Sequence, residues 1–467
     1  MMACPLFKVP ISLSGFTLAC LLIWTPHTWG EAFRILDQSA SATGQGTAFA
    51  AQADDPSAIH FNPAGMTQLE GIQTSFGTNF VSADISLKTS SGSTTHGSFG
   101  GTIAIPPPSN FYVTANLKSL GLPSLHFWTV GLGVTTPFGI SVEYPTGSPI
   151  STVVTRTELP LIDIKPTLAI KANDYISVGI GLDIYTFSGL VGEGQAELHF
   201  TGGPELGPGL SGQQLELNGT DTAVGYNLSL LLTPVRNRQG RPLVNLAFVY
   251  RNQVTLNLKG DFLVNGLAQD KARATLALPQ IVSAGVAIWP IRDPHREWKV
   301  EIDVDYADWN DNQNLNVQLA SGLSLPPEYS VRQYSQAYIL MIGNEYKWLG
   351  LPSLPYWDIA LRGGYVFSHT PIPDFSFDAS VPDSNYHAFS LGLGFLCNEQ
   401  GTFLGMISCN DWLGTSGIGL DLAYQVLLYQ ERTINSHVRS TQGFPTPSTW
   451  DNTVHVGSIN LRINFSS

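Results

Sequence analysis

The chain has 467 residues, of which only 13% are charged and 10% are aromatic, with 46 glycines and a formal net charge of −13 at pH 7. Soluble globular domains usually carry about 25% charged residues, and an acidic balance argues against nucleic acid, whose phosphates require a basic footprint. Beyond the N-terminal region no segment offers the ~18 consecutive apolar residues of a spanning helix, so helical membrane spans are excluded.

The N-terminus carries Lys8, an apolar run over 11–24 and then Thr28-Trp29-Gly30, the order of a secretory signal. Residues 1–30 are therefore expected to be removed on export; an uncleaved anchor would need a longer run. Cys4 and Cys20 leave with that signal. Cys397 and Cys409 remain, twelve residues apart in an oxidising compartment, where a disulfide closing a turn is expected and two free thiols are the alternative. They are too few for a metal site, and no cofactor is expected.

Residues 31–70 are dominated by small side chains, as in Ala40-Ser41-Ala42-Thr43-Gly44-Gln45-Gly46, with no sustained alternation. Such a segment cannot cover a core of its own. It is expected to form short helices and turns packed inside a larger cavity, with Asn62-Pro63-Ala64 marking one turn.

From residue 71 onward, apolar side chains alternate with polar or small ones, the period of a strand with two different faces. Val300, Ile302, Val304 and Tyr306 oppose Glu301, Asp303 and Asp305; Ile176, Val178, Ile180 and Leu182 oppose Ser177, Gly179, Gly181 and Asp183. The polar sets are expected to face a lumen. From Leu243 one dyad is read as running through Val254 and Leu258 without a break.

About 14 such strands are expected, near 72–87, 101–117, 125–137, 159–172, 175–190, 222–234, 243–259, 272–289, 298–308, 334–347, 356–368, 386–397, 415–430 and 453–465. Their connections alternate in length. Long ones near 88–100, 138–158, 191–221, 260–271, 309–333, 369–385 and 431–452 interleave with mostly shorter ones at 118–124, 173–174, 235–242, 290–297, 348–355 and 398–414. Short periplasmic turns and long external loops account for this pattern, so an all-β, antiparallel transmembrane barrel is expected at 71–467. Aromatics at strand ends, including Phe127, Trp128, Trp289, Trp298, Trp309, Tyr346, Trp348, Tyr356, Trp357 and Trp412, are expected to form interfacial girdles.

The run from Asp55-Pro56-Ser57 through Phe61-Asn62-Pro63-Ala64-Gly65 resembles the hatch of the FadL/TodX family, outer-membrane channels of Gram-negative bacteria for long-chain fatty acids and aromatic hydrocarbons. Similar wording recurs in Gly131-Leu132-Gly133-Val134-Thr135-Thr136-Pro137-Phe138-Gly139, Leu278-Pro279-Gln280, Asp305-Tyr306-Ala307-Asp308-Trp309 and Arg362-Gly363-Gly364-Tyr365, the last followed by Pro371-Ile372-Pro373-Asp374 and Pro382-Asp383. The resemblance implies a hatch plugging the lumen at Asn62, Pro63 and Ala64, an apolar pocket, and lateral release through a kink in the third strand. Gly131, Gly133, Pro137 and Gly139 are the residues available for that kink, since Gly and Pro weaken or omit ladder bonds; glycines there equally give room for a plug. Pro106, Pro107 and Pro108 are available in the neighbouring strand.

A fatty-acid carboxylate would want a cation in the pocket, so Arg156 and Arg362, with Phe33 of the hatch, are the candidate ligand-binding residues. For Arg362 a structural ion-pair network beside Asp303 and Asp305 competes with that role. The expected partners are hydrophobic small molecules, outer-membrane lipid and lipopolysaccharide, the chain acting as a monomer. A general diffusion porin is the main alternative. A lipid-modifying enzyme is a weaker one, because His60, His387 and His455 are scattered and no Gly-x-Ser-x-Gly motif is present.

Overall fold

The computed structural model describes residues 31–98, 109–189, 191–322, 325–398, 400–403, 405–410 and 414–465. The expected signal at 1–30, the prolines at 106–108 and Trp412 lie outside them. Fourteen antiparallel strands form the wall: β1 (Ile72–Thr89), β2 (Asn110–Asn116), β3 (Trp128–Thr135), β4 (Ile162–Lys171), β5 (Ile176–Thr186), β6 (Ala223–Arg236), β7 (Pro242–Arg251), β8 (Gln280–Arg292), β9 (Arg296–Asp308), β10 (Gln336–Leu351), β11 (Leu354–Ser368), β12 (Tyr386–Cys397), β13 (Thr415–Tyr429) and β14 (Ser448–Phe465). β1 pairs with β14 from Ile72↔Phe465 to Thr89↔Ser448, closing the sheet into a barrel. Closure satisfies backbone groups that lipid could not. Among the described residues no helix is long and apolar enough to cross a membrane.

The dyad assigns the two faces. On β9, Ile302 and Val304 are 47% and 44% exposed on the outer wall, while Glu301, Asp303 and Asp305 are buried in the lumen. On β5, Val178, Ile180 and Leu182 are exposed, and Ser177 and Asp183 are buried.

The expected loop at 260–271 is instead a hairpin. Val254–Val264 pairs with Leu267–Leu278 across Asn265-Gly266, both at positive φ (51° and 77°), the backbone that a two-residue hairpin turn needs. The dyad from Leu243 is also not continuous. In β7, Leu246 and Phe248 face outward and Asn245, Ala247 and Val249 inward; past Asn252-Gln253, Val254 and Leu256 are buried instead. Beyond the bilayer the surroundings are water rather than lipid, so apolar side chains turn inward.

This hairpin belongs to an external layer. Gly139–Glu143 pairs with Arg156–Pro160, which pairs with Ala196–Thr201. That strand pairs with Gln214–Gly219, which reaches Val254–Val264. Segments expected as loops thus form a sheet over one mouth of the barrel. Two of the expected girdle residues, Trp289 and Trp309, are buried inside rather than at the interface; Phe127, in the turn before β3, and Tyr356, near the start of β11, are exposed.

Candidate functional site

The segment 31–69 folds into the lumen as two four-residue helices, Ala40–Thr43 and Ala58–Phe61, and a 3-10 turn, Pro63–Gln68. Helices this short leave most backbone N–H groups without intrahelical partners. β9 supplies them. Asp303 accepts from Phe49 N and Ala50 N, both at 2.9 Å, and Glu301 from Ala51 N at 2.7 Å and Gln52 N at 3.2 Å. Asp305, next on the same face, holds Arg34 Nη2 at 2.5 Å, and Lys299 bridges Glu301 and the Gln52 side chain at 2.8 and 2.6 Å. One inward row of one strand therefore clamps the segment at three places.

Within the segment, Asn62 Nδ2 donates to Ala50 O at 2.8 Å and its Oδ1 accepts from Ala64 N at 3.1 Å, and on the other wall Ser229 Oγ also accepts from Ala64 N at 2.9 Å, pinning the Asn-Pro-Ala turn. Gly179 of β5 faces that turn so closely that a Cβ there would lie 2.6 Å from Ala64 N and 2.8 Å from Pro63 C. Gly131 and Gly133 do the same for Ile59 and Met66. These two glycines sit in unbroken ladders with β2 and β4, so they make room for the hatch and are not the kink.

The break in the third strand falls after Thr135, and pairing resumes at Gly139 in the external layer. Its exposed backbone groups are taken by the N-terminal segment. Ile35 N donates to Pro137 O and Gly139 N to Phe33 O, both at 2.9 Å, with Arg34 opposite Phe138. Gln38 accepts from Thr136 N at 3.2 Å and donates to Thr136 O at 3.1 Å. Residues 33–38 thus act as a short extra strand along the break. Across it, positions 78–83 of β1 find a strand partner on the β14 side alone among the described residues.

Against this break lies an inner cavity of about 180 Å³, walled by Val81, Ala83, Ile85, Phe138, Ile140 and Val454 and roofed by residues 31–37. An outer cavity of about 150 Å³ opens under the external layer, bounded by Leu217, Leu258, Leu276, Leu315 and Tyr334. Both include Phe33, Ile140, Glu158, Leu159 and Val381, so they adjoin. Phe33 is the shared partition. Its ring stands 4.8 Å from Trp309 and 6.2 Å from Phe138, both edge-to-face, an arrangement that holds an aromatic side chain without a polar anchor.

Of the candidate ligand-binding residues, Phe33 lines both of these cavities and Arg156 and Arg362 line neither. Arg362 bonds Glu345 at 2.7 Å and Asp421 at 2.6 Å, bracing β10, β11 and β13 below the hatch. Arg156 pairs with Glu158 in the external layer and lines neither cavity. Cys397 and Cys409 form a disulfide between β12 and β13, at the end of the barrel where the chain finishes, packed with Phe403 and Ile418. Sequence reasoning missed Arg34, Gln38, Asp37 and Asp383. The one available signal was Pro137, whose missing N–H and broken ladder imply that neighbouring backbone groups need partners from elsewhere.

Burial dominates the electrostatics of the cavity roof. It pushes the Glu31 carboxyl up to about 7, against the pull of Arg34, and Asp37 and Asp383 up to about 6 each. Asp383, in the loop between β11 and β12, accepts from Ala32 N at 2.9 Å and Thr370 Oγ1 at 2.6 Å.

A closed barrel stoppered by its own N-terminal segment, with adjoining apolar cavities beside a wall break, defines a plugged outer-membrane channel. The chain belongs to the outer membrane protein transport protein family (OMPP1/FadL/TodX), whose model matches residues 21–403, and the outer membrane is its location. It is 23% identical over 434 residues to the long-chain fatty acid transport protein of Salmonella typhi, covering 84% of this chain and 90% of the relative. The Escherichia coli K12 protein of the same description is 22% identical over 445 residues, with the same shares covered. Among solved structures, a Pseudomonas aeruginosa FadL homologue superposes with a TM-score of 0.70 at 16% identity, over 93% of this chain and all of that one. The Pseudomonas putida toluene transporter TodX does so at 0.60 and 16%, over 94% and 100%.

Proposed function

We propose that this protein admits hydrophobic compounds, long-chain fatty acids or aromatic hydrocarbons, across the outer membrane by passive transfer. A ligand is captured in the outer cavity, passes Phe33 into the inner one, displaces residues 31–38 and leaves sideways through the break after Thr135. The carrying observation is that residues 33–37 both line the cavity and, with Gln38, close the break. A ligand that takes the place of this segment withdraws the hydrogen bonds closing the wall, so binding and release are coupled through one element. A greasy solute gains little from a water-filled path, whereas an apolar cavity keeps it out of water throughout.

The names of the relatives support this reading, as does the filled lumen, which argues against a general diffusion porin. The test is uptake of labelled oleate and toluene by cells with and without the protein, beside single-channel recording of the purified barrel. Protein-dependent uptake of one of them with near-silent bilayers is expected. Large steady currents without selective uptake would return the porin reading.

A further inference from the structure

The pattern Lys-x-Leu-Gly-Leu-Pro-Ser-Leu-x-x-Trp occurs twice in the chain, at Lys118–Trp128 and at Lys347–Trp357, with an aromatic residue, Phe127 or Tyr356, before each tryptophan. Both copies are turns of the rim opposite the external layer, the first joining β2 to β3 and the second β10 to β11. One turn geometry does not account for the shared residues. In the first copy two 3-10 turns, Leu117–Leu120 and Pro123–Leu125, flank Gly121; in the second the strands run on to Leu351 and from Leu354, leaving Pro352-Ser353 as the turn. A left-handed glycine is common to both backbones, at φ 82° in Gly121 and 61° in Gly350. What the copies otherwise keep in common is their side chains.

Those side chains are apolar and stand at the protein surface. Leu120, Leu122 and Leu125 are 37–50% exposed; in the second copy Leu354 is 44% exposed, with Leu349 and Leu351 half-buried beside it. The lysines are used differently, Lys347 pairing with Glu345 at 3.1 Å and Lys118 standing exposed, so the leucines and tryptophans carry the likeness. Three other turns of this rim, at 173–174, 237–241 and 293–295, contain no leucine. Exposed leucine is unfavourable in water, so a matched pair of such tips implies a matched apolar contact.

Each pattern runs directly into the outer wall. Trp128 lies on the side of β3 that exposes Leu132, and Trp357 on the side of β11 that exposes Leu361, with Phe403 covering part of its ring at 6.1 Å. Around the closed ring, six strands separate the two copies one way and four the other. The bilayer encircles the barrel and meets both. Aromatic rings suit its headgroup level, and leucines suit the acyl boundary beneath.

We propose that the two Leu-Gly-Leu-Pro-Ser-Leu turns are membrane anchors, which seat their leucines in the leaflet at this rim and grip the bilayer on two sides of the barrel. The contact is independent of what the channel carries. The first anchor holds the ends of β2 and β3 remote from the wall break.

The test places a fluorophore at matched positions of the two copies. Leu125→Cys and Leu354→Cys are each labelled with a thiol-reactive nitrobenzoxadiazole dye in the full mature protein, whose remaining cysteines, Cys397 and Cys409, are bonded to each other. Gln239→Cys, in the polar turn between β6 and β7, is the reference. In nanodiscs of phosphatidylethanolamine and phosphatidylglycerol, both anchor labels are expected to be quenched severalfold more than the reference by nitroxide-labelled lipid, and severalfold less by aqueous iodide. Leu122→Cys and Tyr356→Cys replace any variant that fails to show the heat-modifiability of a folded barrel. Iodide quenching at both copies equal to that at the reference would overturn the anchors and leave the leucines to a partner in solution. A lipid-seated label at one copy and a wet one at the other would overturn the proposal equally, because the shared residues would not share a role.

Discussion

Asp305 on β9 holds Arg34 of the hatch at 2.5 Å, joining two residues 271 positions apart in the chain. Both side chains are nearly inaccessible to water, so each depends on the other for its charge to be tolerated. Replacing Asp305 by Asn leaves Arg34 with Glu31 alone. Docking of the hatch is expected to weaken by about 3 kcal/mol, the cost of breaking a buried pair. Bilayers should then show frequent openings where the wild type is nearly silent; an unchanged record would mean that the clamp at Glu301 and Asp303 suffices.

The turn at Asn62-Pro63-Ala64 is seated against the bare backbone of Gly179. A Gly179→Ala variant puts a methyl group within 2.5–2.8 Å of Ser229 Oγ, Ala64 N and Pro63 C. Two of those three atoms are backbone and cannot swing aside, so overpacking of about 1–3 kcal/mol is expected. Heat-modifiability on gels should report a lower unfolding temperature, with increased protease cleavage within 31–69. A methyl tolerated without either effect would show that the turn is free to shift.

Gln38 satisfies both backbone groups of Thr136 at the wall break. Gln38→Ala strips the N–H and C=O of partners in a water-poor site, which costs about 1–3 kcal/mol. The closed wall loses that stabilisation and the open one does not, so release should speed up. Stopped-flow dissociation of a fluorescent hydrophobic probe from purified protein is expected to be faster than wild type by about tenfold or more. Slower or equal dissociation would detach Gln38 from the exit route.

Docking of the N-terminal segment should depend on pH. Glu31 faces Arg34, Asp305, Asp383, Tyr386 and Tyr429, while Asp383 faces Thr370, the Ala32 N–H and Arg432. Burial raises Glu31 to about 7 and Asp37 and Asp383 to about 6, so the docked state favours their protonated forms. For carboxyls shifted upward, that stabilisation is complete below their ordinary range and fades as pH climbs through 6 and 7. Protease access to residues 31–38 should therefore increase from pH 5.5 to pH 8. The reverse trend would contradict the assignment.

Much of the architecture was present in the chain itself. Alternation is a local property, and a two-faced strand between lipid and lumen writes it into about ten residues at a time; hence the legible strands, the long and short connections, and a small-residue segment needing a cavity. The same locality explains the errors. Asn265-Gly266 lies inside the loop expected at 260–271 yet turns a hairpin, and the face of Val254 and Leu256 reverses because apolar side chains follow the solvent around them, not their parity.

What only the tertiary structure decided is which distant groups meet. That Arg34 finds Asp305, that Gln38 finds Thr136 and that Phe33 separates two cavities all depend on folding the N-terminus back through a closed ring. Nothing in the neighbourhood of those residues in sequence encodes that meeting, because the satisfaction of a buried charge or backbone group is set by whatever the fold brings within about 3 Å of it.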